Sequence, residues 1–325
     1  MTRHHRHTAL AVLATVSLTT LSLGGCAGGR YADTPLPTPP SSSATSSSAT
    51  PSTCDPATAT QTYQPLTSIP ASASITDAGM RTILDRGRLI VGVSADTYLL
   101  GARDPLTNTL EGFDIDVAKA VAKRLFGDDT KITWRVISAA DRIPLLQKGA
   151  VDLVARNMTM TCDRWQQIAF SSEYYHAGQK VLVARGSTAK TLEDLKGQRV
   201  CAPTKTTSLA KLQSISGVTV VTAENHTGCL VKFQQGQADA ITGDDTVLAG
   251  LAAQDPYAVV TDAPAITDEP YGLGVNGDNV YFVRYVNAVL AQVESDGEWK
   301  QIYNRWLAPR LGKAPNPPVA NYGRG

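Results

Sequence analysis

The sequence predicts an α/β protein built as two lobes, on three observations. Short apolar runs rich in Val, Ile and Leu alternate with stretches of helical periodicity, the pattern of strands joined by covering helices. The alternation restarts after residue 185, and the elements beyond residue 269 read as a continuation of the first series. A chain of 325 residues, 42% of them hydrophobic, has the length for about two domains and the apolar content to bury a core.

In chain order, RLIVGV at 88–93 is a buried strand run. From Phe113 onward Ile115, Ala118, Val121, Ala122 and Leu125 recur at helical spacing, with Asp114 placed to cap that helix. Strands are expected at 132–136 and 151–154 with a helix at 143–148 between them, then a strand at 181–183. The second series places strands at 192–195, 199–202, 218–221 and 239–242, with helices from Ser208 and over 229–235. A returning strand at 271–275 and amphipathic helices at 282–293 and 299–307 close the chain. Such alternation implies mostly parallel sheets with helices on both faces. Ligands of open α/β sheets sit outside the carboxyl ends of the strands, which here is the cleft between the lobes.

Composition excludes several classes of function. Thirty Lys and Arg stand against 29 Asp and Glu, a net charge of +1, too weak a field to hold nucleic-acid phosphates. Aromatic residues are 6% of the chain, too sparse for base-stacking platforms. The five cysteines stand singly rather than in the close pairs of a zinc site, so no metal or cofactor is expected. After the N-terminus no apolar run reaches the roughly 20 residues that span a bilayer. A monomer is expected.

The N-terminus reads as an export leader. Arg3 and Arg6 make a basic start, and the apolar run from Ala9 to Leu23 has the length of a signal core, giving a signal peptide over 1–25. Leu23-Gly24-Gly25-Cys26 resembles the bacterial lipobox, which implies removal of the signal and acylation of Cys26, palmitate included, at the extracytoplasmic face of the membrane. Residues 26–75, including SSSATSSSATPS, carry almost no large apolar side chains and read as a disordered tether. The folded body then divides into a first lobe over 76–184 and 269–312, a second over 185–268, and a tail over 313–325. With Cys26 acylated, Cys54, Cys162, Cys201 and Cys229 remain, an even number that three pairings satisfy in an oxidising compartment. Cys201 with Cys229 is favoured, closing a loop of about 28 residues worth about 3 kcal/mol. Cys54 with Cys162 would then pin the tether to the body.

Two motifs carry a resemblance. Gly112-Phe113-Asp114-Ile115-Asp116-Val117, followed by Val121-Ala122 and Leu125, is similar to the signature of family 3 extracellular solute-binding proteins, the polar-amino-acid receptors of ABC importers. Asn157-Met158-Thr159-Met160-Thr161-Cys162-Asp163-Arg164, then Phe170-Ser171, resembles that family's ligand loop, T-x-T-x-x-R before F-S. The similarity runs from about residue 77 to 310 and is strongest to actinobacterial glutamine/glutamate-binding lipoproteins. It implies the type II periplasmic-binding-protein fold and a small amino-acid ligand in the inter-lobe cleft.

The resemblance and the chemistry of amino-acid capture select the same side chains. An α-carboxylate calls for a bidentate cation, and Arg164 is the family's clamp position, with Thr159 adding hydroxyl and N–H donors and Asn157 an oxygen. The α-ammonium needs an acid, and the resemblance puts Asp244 there, leaving Asp245 to cap the following helix. Ser94 stands where some glutamine-binding members carry a second aspartate, so the ammonium depends more on Asp244. Arg142 resembles the arginine that glutamate/aspartate-binding members aim at a distal carboxylate, with an ion pair to Asp141 as its alternative. His226, eighteen residues before Asp244, matches a cleft histidine of acidic-amino-acid binders. Thr206 and Thr207 open a helix whose N–H groups suit an anion. Lys205 beside them is either part of that seat or solvated, and Tyr98 either walls the ligand or packs elsewhere.

The expected ligand is L-glutamate, then L-aspartate, with L-glutamine third. The expected partner is an ABC permease or, alternatively, a membrane sensor protein to which an occupied receptor reports. An exported dehydratase-like enzyme of the same fold is the remaining alternative. The sequence holds no G-x-S-x-G nucleophile motif to support it.

Overall fold

In a computed structural model of the chain, residue 55 and residues 58–325 are described. The expected signal peptide, Cys26 and Cys54 lie outside them. No helix among the described residues is long and apolar enough to cross a membrane.

The chain enters through a short strand, β1 (Gln61–Tyr63), and a helix, α1 (Ala78–Arg86). Asp77 caps α1 by accepting from the Met80 N–H, and Gly87 ends it in the left-handed region that glycine occupies without a Cβ penalty. β2 (Leu89–Val93) follows, then a small antiparallel sheet of β3 (Asp96–Thr97), β4 (Gly101–Arg103) and β5 (Leu110–Glu111). Gly112 joins it to α2 (Phe113–Phe126) with a φ of +136°, where a Cβ would collide with the Leu100 carbonyl. β6 (Ile132–Val136), α3 (Arg142–Gln147), β7 (Leu153–Val154) and the one-turn helix α4 (Cys162–Trp165) complete the first series.

The second series opens on a long strand, β8 (Ala169–Ala184). It continues through β9 (Arg199–Pro203), α5 (Thr207–Gln213), β10 (Thr219–Ala223) and α6 (His226–Gln234). β11 (Ala240–Asp244), α7 (Asp245–Gln254) and β12 (Ala258–Val260) end it. β13 (Asp268–Val275) returns to the first lobe, and α8 (Val280–Ser295), α9 (Glu298–Trp306), α10 (Ala308–Leu311) and β14 (Asn321–Arg324) close the chain.

Nine strands form one continuous sheet in the order β10-β9-β11-β8-β13-β7-β2-β6, with β12 pairing beside β8. β8 belongs to both lobes. Its first part pairs with β13, from Ala169 opposite Val275 to Gly178 opposite Asp268, and its last part with β11, from Gln179 opposite Asp244 to Val183 opposite Ala240. The two crossing segments touch at Gly178, where a Cβ would collide with that of Ala265. Gln179, fully buried, ties them: its N–H donates to the Thr267 carbonyl and its Nε2 to Thr242 Oγ1 at 2.8 Å. Apolar side chains segregate accordingly. Phe113, Tyr174, Tyr271 and Trp299 anchor the large core of the first lobe, while Val200 with Leu212 and Cys229 with Leu248 mark two cores flanking the sheet of the second.

Several expectations need correction. The sheet is mixed: β8 and β13 run antiparallel to their neighbours, because the hinge crosses back on itself and a crossover helix is not needed there. Residues 192–195 are not a strand; Glu193–Leu195 is a single 3₁₀ turn. Asp114 does not cap α2, which Gly112 opens without a side-chain cap; its buried carboxylate instead accepts from the Asn157 N–H and from Tyr174 Oη, both at 2.8 Å. The tether does not extend to residue 75, since β1 pairs with β14 and Thr62 is fully buried, donating to the Phe170 carbonyl. The same pairing shows that 313–325 is not simply a tail. Both segments are short and polar, so hydrophobic periodicity does not reveal them.

Cys201 and Cys229 form a disulfide with a Cα–Cα distance of 5.6 Å, joining β9 to α6 inside the second lobe. Cys162 is also disulfide-bonded, to a cysteine outside the described residues, so the expected pairing with Cys54 stays an expectation. Closing a loop of 28 residues limits the unfolded chain, so a Cys201→Ser/Cys229→Ser variant is expected to lose about 3 kcal/mol in a urea titration.

Candidate functional site

The carboxyl ends of strands from both lobes converge on one cavity. From the first lobe it is lined by Thr97, Ala139, Arg142, Arg156, Asn157, Thr159 and Arg164; from the second by Pro203, Thr206, Thr207, Ser208, Asn225, His226 and Asp244. All eight residues singled out from the sequence therefore share one cavity. Tyr98 is not among the lining residues; it is 44% exposed and its backbone packs against Gly250 of α7.

Three guanidinium groups dominate the first-lobe wall. Arg142, 3% exposed, opens α3 and donates only to backbone carbonyls: Nε to Ala139 at 3.0 Å, Nη1 to Arg156 and Asn157, and Nη2 across the cleft to Lys205, each at 3.3 Å. It does not pair with Asp141, whose carboxylate instead accepts from Ser138. Arg156, 6% exposed, donates from Nε to the Ile137 carbonyl at 2.9 Å. Arg164 donates from Nη1 to the Thr159 carbonyl at 2.6 Å. Burial pushes all three below the usual arginine range, and the charges of Arg164 and Arg156 lower Arg142 further. Backbone dipoles solvate these cations without neutralising them.

The loop that carries them is held from behind. Asn157 sits at a φ of +36°, a conformation a side chain adopts only under constraint, and the buried Asp114 carboxylate fixes it through the Asn157 N–H. Lys205 also takes positive φ, +59°, which turns its carbonyl toward Arg142. Its part in the site is that carbonyl.

The threonine hydroxyls have other partners than the expected ligand. Thr206 caps α5, accepting from the Leu209 N–H and donating to the Pro203 carbonyl. Thr159 and Thr207 both donate to Glu269 Oε2, at 2.6 and 2.7 Å, one from each lobe. Glu269, buried at the start of β13, thereby bridges the lobes behind the cavity.

On the second-lobe wall Asp244 ends β11. Its Oδ2 accepts from Tyr271 Oη at 2.6 Å, while its buried Oδ1 has no partner. Burial, then the nearby Glu269 charge, pushes its pKa up to about 7. His226 opens α6, and its Nε2 is likewise buried without a partner. Burial and the Arg156 charge lower its pKa to about 3, so the ring is neutral at physiological pH. Its hydrogen bond to the Thr242 backbone leaves Nε2 a lone-pair acceptor. The ring packs over Gly243, where a Cβ would collide with Nε2. Asn157 Oδ1 is a third buried acceptor without a partner. Three guanidinium groups and three buried acceptors without partners lining one cavity are the arrangement that a zwitterion with a polar side chain completes.

Sequence reasoning missed Arg156 and Glu269. Arg156 follows the buried β7 run and directly precedes the ligand loop, a placement that signals a side chain entering the cleft. Glu269 had no such signal, because strand pairing across the hinge brings it to Thr159.

Comparison with known proteins bears on this arrangement. Residues 89–309 match the family of bacterial extracellular solute-binding proteins, family 3. The chain is 36% identical over 230 residues to the ABC transporter glutamine-binding protein GlnH of Bacillus subtilis, covering 70% of this chain and 84% of that protein. It is 30% identical over 247 residues to the glutamate-binding protein GluB of Corynebacterium efficiens, covering 72% and 82%. Among solved structures, an ancestral arginine-binding protein bound to glutamine superposes with a TM-score of 0.65 at 33% identity, over 70% of this chain and 99% of that one.

Asp244 has a folded-state pKa near 7 against 3.8 when unfolded, so its ionisation opposes folding. That cost is absent below pH 3.8, grows from there to about 7, and is fully present above. Asp244→Asn is therefore expected to stabilise the ligand-free protein by roughly 2–4 kcal/mol at pH 8 and by little at pH 4, read from urea midpoints at both pH values.

Proposed function

The chain belongs to family 3 of the bacterial extracellular solute-binding proteins, and within it we propose a receptor for an acidic amino acid, glutamate before aspartate, with glutamine third. As a member it is an extracytoplasmic binding protein of an ABC amino-acid importer and not an enzyme. Acylated Cys26 would hold it to the outer face of the membrane.

Unpaired positive charge in the cleft carries the proposal. Arg142, Arg156 and Arg164 all line it, and among the described residues none of the three forms an ion pair with a carboxylate. A buried unpaired charge is costly, and a neutral zwitterion adds no net charge to remove it. A dicarboxylic amino acid does.

The roles follow from hydrogen-bonding capacity. Arg164 grips the α-carboxylate as a fork, and Asp244 Oδ1 receives the α-ammonium, which draws its pKa down and fixes it ionised. Arg142 and Arg156 face the distal carboxylate. Because donors come from the first lobe and acceptors from the second, ligand bridges them and closure about the β8–β13 crossing traps it. Glutamine is the second reading, favoured by one observation: neutral His226 Nε2 and Asn157 Oδ1 are acceptors, suited to amide N–H groups and not to a carboxylate.

Truncating one partner of a desolvated charge pair costs about 2–5 kcal/mol. By calorimetry, Arg164→Ala is expected to abolish binding of glutamate and glutamine alike. Arg142→Ala and Arg156→Ala are each expected to cost glutamate that amount while leaving glutamine within a fewfold of its original affinity. Equal losses for both ligands in both of the latter variants contradict the assignment of the distal site.

A further inference from the structure

The two ends of the folded chain meet on the helix that carries Arg164. β1 and β14 pair in parallel, Gln61 opposite Asn321, and Asn321 Nδ2 donates to Thr60 Oγ1 at 3.1 Å. Arg324 at the end of β14 donates from Nε to the Gln61 carbonyl at 2.7 Å and from Nη2 to the Thr58 carbonyl at 3.3 Å. Its guanidinium carbon lies 3.7 Å from the centroid of the Trp165 ring, a cation–π contact. Trp165 in turn donates from Nε1 to the Ala59 carbonyl at 2.7 Å, and meets Phe170 and Tyr63 edge-on at 5.4 and 6.3 Å.

Trp165 is the residue after Arg164, and α4 is a single turn of four residues. A turn that short has no stability of its own, so its orientation comes from tertiary contacts. Arg164 contributes few: its N–H meets Thr161 Oγ1 at 3.3 Å and its Nη1 the Thr159 carbonyl, both within its own loop. The ring beside it is held on several sides by segments more than a hundred residues away in sequence.

We propose that Trp165 and Arg324 are positioning residues of the ligand site. Segments 58–63 and 321–324 clasp the indole, the indole fixes the end of α4 opposite its disulfide-bonded Cys162, and α4 aims the Arg164 guanidinium into the cleft. The C-terminal strand thus belongs to the binding apparatus, and the segment leading from the N-terminal region into the body is coupled to it. This inference rests on the reading of Arg164 as the carboxylate clamp.

The test uses the full chain, with Arg324→Ala, Arg324→Lys and Trp165→Phe variants. Hydrogen–deuterium exchange over 161–168 reports the order of α4 whatever the ligand, and calorimetry reports affinity for glutamate and glutamine. Arg324→Ala is expected to speed exchange there and to weaken both ligands equally, about tenfold. Arg324→Lys restores most of the affinity by keeping a cation on the ring, and Trp165→Phe, which loses the bond to Ala59, falls between. Unchanged exchange in both Arg324→Ala and Trp165→Phe overturns the clasp. Faster exchange with unchanged affinity overturns its link to the site. Failure of the unsubstituted protein to bind any amino acid overturns the functional reading instead, and the exchange data still decide the clasp.

Discussion

Three guanidinium groups held away from water in one cleft set the terms for the rest of the structure. Each is solvated by carbonyl dipoles of the loops around it, Ala139, Arg156, Asn157 and Lys205 for Arg142 alone. Those carbonyls point inward only because the backbone is bent to present them, with Asn157 and Lys205 at positive φ. The bend at Asn157 is in turn held by Asp114, a buried carboxylate in the first turn of α2 whose pKa desolvation pushes up to about 6. A first turn of helix, a ligand loop and an arginine cluster are therefore one hydrogen-bonded unit. Such preorganisation means that ligand binding need not bend the loop, and the interaction energy goes into recognition.

The second lobe contributes complementary chemistry. Asp244, His226 and, from the loop opposite, Asn157 present acceptors, while Glu269 and Tyr271 on β13 reach both walls from the hinge. Because these two residues start the returning strand, opening the lobes breaks the Glu269–Thr207 and Tyr271–Asp244 bonds together with any ligand bridge. Exclusion of water from the cleft strengthens each of these contacts.

Much of this was legible in the sequence because the ligand loop is local. Thr159, Arg164 and their neighbours lie within eight positions of Asn157, so one local motif, matched to the family's ligand loop, brought them together, and the alternation of apolar strands with amphipathic helices located the lobes. Asp244 and His226 came from the family resemblance, and the fold places both where side chains of α/β folds reach ligands, at a strand end and a helix start. What was not legible depends on long-range pairing. Glu269 is 110 residues from Thr159, and β1 lies some 260 residues from β14, joined by polar side chains with no periodicity to betray them. Asp114 misled for a related reason: an acid in the first turn of a helix looks like a cap, and only the fold shows it turned to the neighbouring loop.

Ranking ligands on the unsubstituted protein tests the central claim most directly. A calorimetric titration with glutamate, aspartate and glutamine under identical salt and pH compares a second carboxylate with its neutral amide in a cleft lined by three guanidinium groups that no carboxylate pairs. Glutamate binding at least tenfold tighter than glutamine is the result this account predicts. Glutamine binding as tightly as glutamate, or tighter, would contradict it.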